Sequence, residues 1–200
     1  MERLSRRVAR SLVENGNISK EYEAVYQYAL QSVLILGINV LLSILIGVLL
    51  DRVVYCIVFL CAMIPLRSNA GGYHASNLVV CYILSFTSLI TTLLLVGKTD
   101  LYWIITLATV AVASTVLIFV YAPLDTENRR LDDDEKKRIG NKARRIVIAE
   151  LLVGFLFLMV HSSFSCMIWG AVSWCAVGYI AWFIQQKAGM LGKTKKNEEM

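Results

Sequence analysis

Histidine is scarce in this chain, with only His74 and His161 in 200 residues. Metal ligands are therefore too few for a built metal centre, and no metal or other cofactor is expected. The G-x-S-x-G turn of the α/β-hydrolases is missing, which argues against a serine hydrolase. A cleavable leader is missing too. Met1–Asn17 carries Arg3, Arg6, Arg7 and Arg10 but has no adjoining apolar core and no small-residue cleavage site. No solenoid-type repeat or low-complexity tract stands out. Five cysteines are an odd number, and a disulfide framework does not suit thiols in lipid or beside a reducing cytosol. Cys56, Cys61, Cys166 and Cys175 accordingly read as small apolar filler.

Apolar residues are what the chain has in abundance. They make up 57% of the sequence, with a mean hydropathy of +0.61, more than a soluble domain of this length needs. The expected fold is all-α: a polytopic membrane protein with about six transmembrane helices, near residues 33–50, 53–66, 78–96, 101–122, 146–161 and 165–184. With six spans and an inside N-terminus, every lysine and arginine except Arg52 and Lys98 falls on the cytoplasmic side. That is the bias of the positive-inside rule, and it puts both termini in the cytoplasm.

The chain then reads as one membrane-embedded domain over 1–200, with four distinct segments outside the spans. Residues 1–17 form a basic amphipathic segment, with Leu4, Val8 and Leu12 at four-residue spacing, suited to an anionic inner leaflet. Ser19 can cap the following helix. Residues 67–77 form a cytoplasmic loop, residues 123–145 a charged and largely helical cytoplasmic connector, and residues 190–200 a flexible tail. Glu150 lies about a turn inside the fifth span, where it is expected to snorkel or to pair with an arginine. The segment 53–66 is short for a bilayer and ends beside Pro65. The loop after it is therefore expected to dip into the interface and line a cytoplasm-facing cavity.

That loop carries the chemistry. It reads Arg67-Ser68-Asn69-Ala70-Gly71-Gly72-Tyr73-His74-Ala75-Ser76-Asn77, and Cys81 follows it. A thiol with an imidazole is the minimum equipment for a cysteine nucleophile and its general base. On one straight helix, residues seven apart would be about 10.5 Å apart along the axis and could not meet. If Ser76 or Asn77 caps a helix, His74 is free in the loop. With Asn77 as cap, Cys81 becomes the fourth helical residue, its side chain leaning back toward the histidine. A helix N-terminus also favours the thiolate, whereas apolar surroundings oppose it. Gly71 and Gly72 supply backbone freedom for a hinge, and their amides, or those of the helix start, are candidate oxyanion donors. Ser68, Asn69, Ser76 and Asn77 are all able to orient the imidazole. His161, beside Ser162 and Ser163, reads as a turn residue on the opposite side.

Arg67, Gly71-Gly72-Tyr73-His74-Ala75 and Cys81 resemble the signature of the accessory gene regulator B (AgrB) family of membrane cysteine endopeptidases. The likeness extends over nearly the whole chain and includes Ala122-Pro123-Leu124-Asp125, with Asn128-Arg129-Arg130 where the family often has an Asn-Lys pair. The resemblance implies a Gram-positive quorum-sensing enzyme that removes the acidic C-terminal tail of a short AgrD-type precursor peptide. By that likeness Cys81 attacks the scissile carbonyl, His74 manages the proton, and the acyl-enzyme thioester is passed on to form a thiolactone or lactone ring. Arg67, Arg129 and Arg130 would draw the acidic tail. A homodimer is compatible with the likeness, and the Gly154, Gly170 and Gly178 faces offer close packing. A nucleic-acid partner is not expected. The alternative reading is a non-enzymatic peptide transporter or a membrane scaffold. A transporter would need a continuous polar path from residues such as Asn39, Ser43, Thr87, Ser88, Thr91 and Thr92.

Overall fold

The computed structural model describes residues 2–15, 18–71, 78–98, 100–124 and 133–198, with the backbone alone described from residue 186 onward. Among them every regular element is helical: α1 (Glu2–Glu14), α2 (Glu23–Leu49), α3 (Val53–Ala70), α4 (Leu78–Leu94), α5 (Leu101–Tyr121), α6 (Asp133–Leu158) and α7 (Ser162–Glu198). A single 3₁₀ turn, Lys20–Tyr22, precedes α2; Ser19 sits at its N-cap without a side-chain capping bond. Among the described residues, four stretches are long and apolar enough to cross a bilayer: Lys20–Leu49, Val53–Ala70, Leu101–Tyr121 and Ser162–Gln185. The apolar part of α4, Val79–Leu94, is shorter. α6 is split along its length, with the charged stretch Asp133–Arg145 running without a break into Ile146–Leu158.

Two elements run further than expected. Pro65 lies inside α3, and the helix continues through Arg67 to Ala70, so the connecting loop starts at Gly71. Side chains just beyond the proline brace this last turn. Ser68 Oγ (3.1 Å) and Asn69 Nδ2 (2.7 Å) both donate to the Pro65 carbonyl. At 18 residues α3 is about 27 Å long, close to a hydrocarbon core, so the loop need not dip to complete the span. Likewise α7 passes through residues 190–198, expected to be a flexible tail. Extending an existing helix carries no nucleation penalty, and Ala, Met, Leu, Lys, Gln and Glu all favour it.

The chain divides into two compact units, Met1–Ile46 and Gly47–Met200. In the first, Arg10 Nε faces Glu23 Oε1 at 3.9 Å and Ser43 Oγ donates to Asn39 Oδ1 at 3.4 Å. In the second, α6 and α7 pack on each other and each packs on α3 and α5, and α4 touches α7 and α3 more sparingly. The core of this unit collects Leu66 and Ala70 from α3, Ile118 from α5, Val147 from α6, and Val172, Cys175 and Tyr179 from α7. Small residues set the helix spacing. A Cβ on Gly154 would collide with the Trp169 indole, and one on Gly170 with Thr92 Cγ2. These two glycines are therefore used for packing inside the chain, not left open for a second copy.

Candidate active site

The C-terminal end of α3 is fastened from two directions. The Ala70 carbonyl accepts a bond from the Leu124 N–H at 3.1 Å and another from the Tyr179 hydroxyl at 2.6 Å. Gly71 N–H closes the helix on the Arg67 carbonyl at 3.2 Å. Gly71 then takes φ +77°, a conformation that side chains disfavour, and a Cβ there would come within 2.8 Å of the Leu124 carbonyl oxygen. Gly140 makes room for Pro123 in the same way, since its Cβ would lie 2.8 Å from the proline ring. Thus α3, the Ala122–Leu124 linker, α6 and α7 meet where the 72–77 segment begins.

That segment contains Gly72, His74, Ser76 and Asn77, which lie outside the described residues, as do Arg129 and Arg130. Asn69 and Ser68 are described and belong to α3, with Asn69 Nδ2 also 3.3 Å from Ser68 Oγ. On the far side of the segment, α4 begins at Leu78, making Cys81 its fourth residue. The first four backbone N–H groups of a helix have no partner within it. Together they form the positive end of the helix dipole, and Cys81 is placed beside it.

Cys81 is half-buried, whereas Cys56, Cys166 and Cys175 are fully buried. Cys61 is exposed, but lies in the middle of α3. Cys81 borders a cavity of about 60 Å³ lined also by Ser85 and Ser88 of α4, Met63 and Arg67 of α3, and Trp174 and Gly178 of α7. The cavity brings the candidate nucleophile and the candidate carboxylate-binding Arg67 to one hollow. Trp174, Gly178 and Met63 were not expected in the site. They approach it only through the packing of α3 and α7, more than ninety positions apart for Met63 and either α7 residue.

Glu150 stands apart from this hollow's lining. Its Oε2 is shielded within the second unit and has no hydrogen-bond partner among the described residues, so the expected pairing of that oxygen with an arginine is not formed there. His161 follows the turn after α6; its N–H donates to the Phe157 carbonyl at 2.7 Å, and its ring packs beside Phe164 and Tyr55. Both groups sit on the scaffold.

Comparison with known proteins gives this arrangement a family. The family model described as Accessory gene regulator B matches residues 5–187. The chain belongs to the AgrB family. Among curated proteins, it is 23% identical over 189 residues to an AgrB-like protein of Clostridium perfringens (strain SM101 / Type A), covering 91% of this chain and 88% of the relative. A second AgrB-like protein, from Clostridium perfringens (strain 13 / Type A), is 23% identical over 168 residues, covering 81% of this chain and 77% of the relative. No solved structure matches.

Proposed function

We propose that this AgrB-family chain is a membrane cysteine endopeptidase that trims a short AgrD-type precursor peptide and promotes its cyclisation. The observation that carries the reading is the position of Cys81: a half-buried thiol in the first turn of α4, bordering a hollow that also holds Arg67. In this mechanism the Cys81 thiolate adds to the scissile carbonyl, and helix-start amides stabilise the oxyanion. The tetrahedral adduct collapses to a thioester while the departing amine takes a proton from His74. A cysteine or serine within the retained peptide then gives its proton to the now neutral His74, attacks the thioester, closes the ring and releases Cys81 as the thiolate. Arg67, with Arg129 and Arg130, holds the acidic tail on the cytoplasmic side.

A transporter is less well supported, because its candidate polar path is consumed locally. Ser88, Thr91 and Thr92 hydroxyls each donate to carbonyls three or four residues earlier on their own helix, and Ser43 donates to Asn39. The deciding experiment co-expresses the protein with short precursors encoded beside it and follows cleavage by mass spectrometry. Cys81→Ala and His74→Ala are expected to insert normally and to release no tail. Full cleavage by Cys81→Ala would reject the mechanism.

A further inference from the structure

The hollow beside Cys81 has a direction. The Tyr179 hydroxyl reaches the Ala70 carbonyl, so the Tyr179 level of α7 lies at the loop end of α3. Arg67, one turn before the end of α3, and Cys81, in the first turn of α4, are at that same end. From there Ser85 and Ser88 continue along the Cys81 face of α4, and seven residues of helix descend about 10.5 Å. Met63 is a further turn below Arg67 on α3, and Trp174 is five residues before Tyr179 on α7. The charged group is thus at the mouth, and the floor lies about two helical turns away.

The floor is apolar in effect. Met63 and Trp174 line it with carbon-rich side chains, and the exposed Leu84 and Val177 border the hollow nearer its mouth. The Ser88 hydroxyl, which could have offered polarity, is committed to the Ser85 carbonyl at 2.7 Å. A carboxylate entering this depth would exchange its water for a mostly carbon-lined wall, a turn below the Arg67 guanidinium. An apolar side chain would lose only its exposure to water.

We infer that the hollow below Cys81 is the acyl-side specificity pocket: it takes a large apolar side chain from the residue whose carbonyl Cys81 attacks. The inference rests on the peptidase reading proposed above. The reasoning is steric and electrostatic. The acidic tail leaves with the amine and is held by Arg67 at the mouth. The residue that stays bonded to sulfur must place its side chain against Cys81 on the other side, and the room there is the apolar floor. Ser88, Met63 and Trp174 are then specificity-determining residues. Holding the acyl residue in a water-poor hollow also protects the thioester from hydrolysis long enough for ring closure to compete.

The test uses the full-length protein in membranes with its precursor, the cut position first mapped by mass spectrometry. Precursors carrying Ala, Leu or Phe immediately before the cut, and a second series varied immediately after it, are compared in competition. The wild type is expected to prefer Leu or Phe to Ala before the cut by roughly tenfold or more, the discrimination a hydrophobic pocket provides. Ser88→Leu, which fills the floor, should reduce the Phe-to-Ala ratio about tenfold, and Met63→Ala, which deepens it, should raise that ratio. Ratios from one preparation cancel partial misfolding, and the two variants act from opposite walls, so either one alone decides. Unchanged ratios before the cut, or altered selectivity only after it, would overturn the pocket assignment while leaving the peptidase intact. Absence of any cleavage by the wild type would bring down the peptidase reading, and this inference with it.

Discussion

The two ends of α4 are held in opposite ways. At its C-terminal end Leu89, Thr92 and Leu93 are buried, Thr92 is seated against Gly170, and the Arg52 guanidinium donates to the Leu93 carbonyl. At its N-terminal end Val79, Val80, Ile83 and Leu84 are exposed, and Cys81 borders a hollow instead of a packed wall. One helix is therefore pinned at the end remote from Cys81 and stands off its neighbours where the proposed nucleophile sits. Under the proposed function a peptide reaches Cys81, and the looser packing there, recovered two turns further on, suits that role. The fixed end keeps the thiol in register with α3 and α7, and the open end leaves it beside the hollow.

Thiol reactivity gives the sharpest contrast. Cys81 borders an open hollow, but Cys166 and Cys175 are sealed within the bundle and reach a water-soluble reagent only through opening of the fold. If opening costs even the lower end of ordinary folding free energies, about 5 kcal/mol, their alkylation should be at least about a thousandfold slower than that of Cys81. Timed maleimide labelling of membranes, read by peptide mass, measures the ratio. Comparable rates at Cys81 and Cys175 would erase the distinction between the open and packed regions.

The pinned end can be broken next. Gly170→Val pushes a branched side chain into Thr92, whose hydroxyl is already tied to the Ser88 carbonyl at 2.7 Å and so cannot easily turn aside. Overpacking of this kind costs about 1–3 kcal/mol, and it should loosen α4 along its whole length. Denaturant-titrated unfolding in detergent should show the loss, with cleavage falling alongside it. Thr92→Ala in the same chain makes room for the new side chain and is expected to restore much of both. A Gly170→Val protein as stable and as active as wild type would show that the contact does not position α4.

These particulars mark how far the amino-acid order alone reaches. Hydropathy located the apolar segments, because a run of carbon-rich residues has few alternatives to a buried or lipid-facing helix. The polar break before Leu78 placed Cys81 near a helix start, since serine and asparagine are residue types that favour helix caps. Pro65 misled the reading of α3: proline is a strong local stop signal, and the bonds from Ser68 and Asn69 that brace the turn beyond it are invisible in hydropathy. Gly154 and Gly170 announced close packing but not with whom, and the partners, Trp169 and Thr92, are matters of tertiary arrangement. The floor of the hollow was beyond reach for the same reason. Met63 and Trp174 are ordinary apolar residues in their own helices and acquire a role only where α3, α4 and α7 meet.

The smallest effect should come from Tyr179→Phe, and it separates holding the loop from holding α4. The Tyr179 hydroxyl donates to the Ala70 carbonyl at 2.6 Å, but that oxygen also accepts from the Leu124 N–H at 3.1 Å, so losing the hydroxyl does not orphan it. The stability loss should therefore stay near 1 kcal/mol, the net worth of an ordinary hydrogen bond. Its functional effect should be selective. Tyr179 fastens the exit of α3, from which the 72–77 segment departs, whereas α4 is pinned separately through Thr92 and Leu93. If that exit positions the loop over the nucleophile, Tyr179→Phe slows precursor cleavage several-fold while Cys81 alkylation proceeds at the wild-type rate. A parallel fall in both rates would mean that the two ends of α4 are not independently held, and that the Ala70 junction supports the whole site.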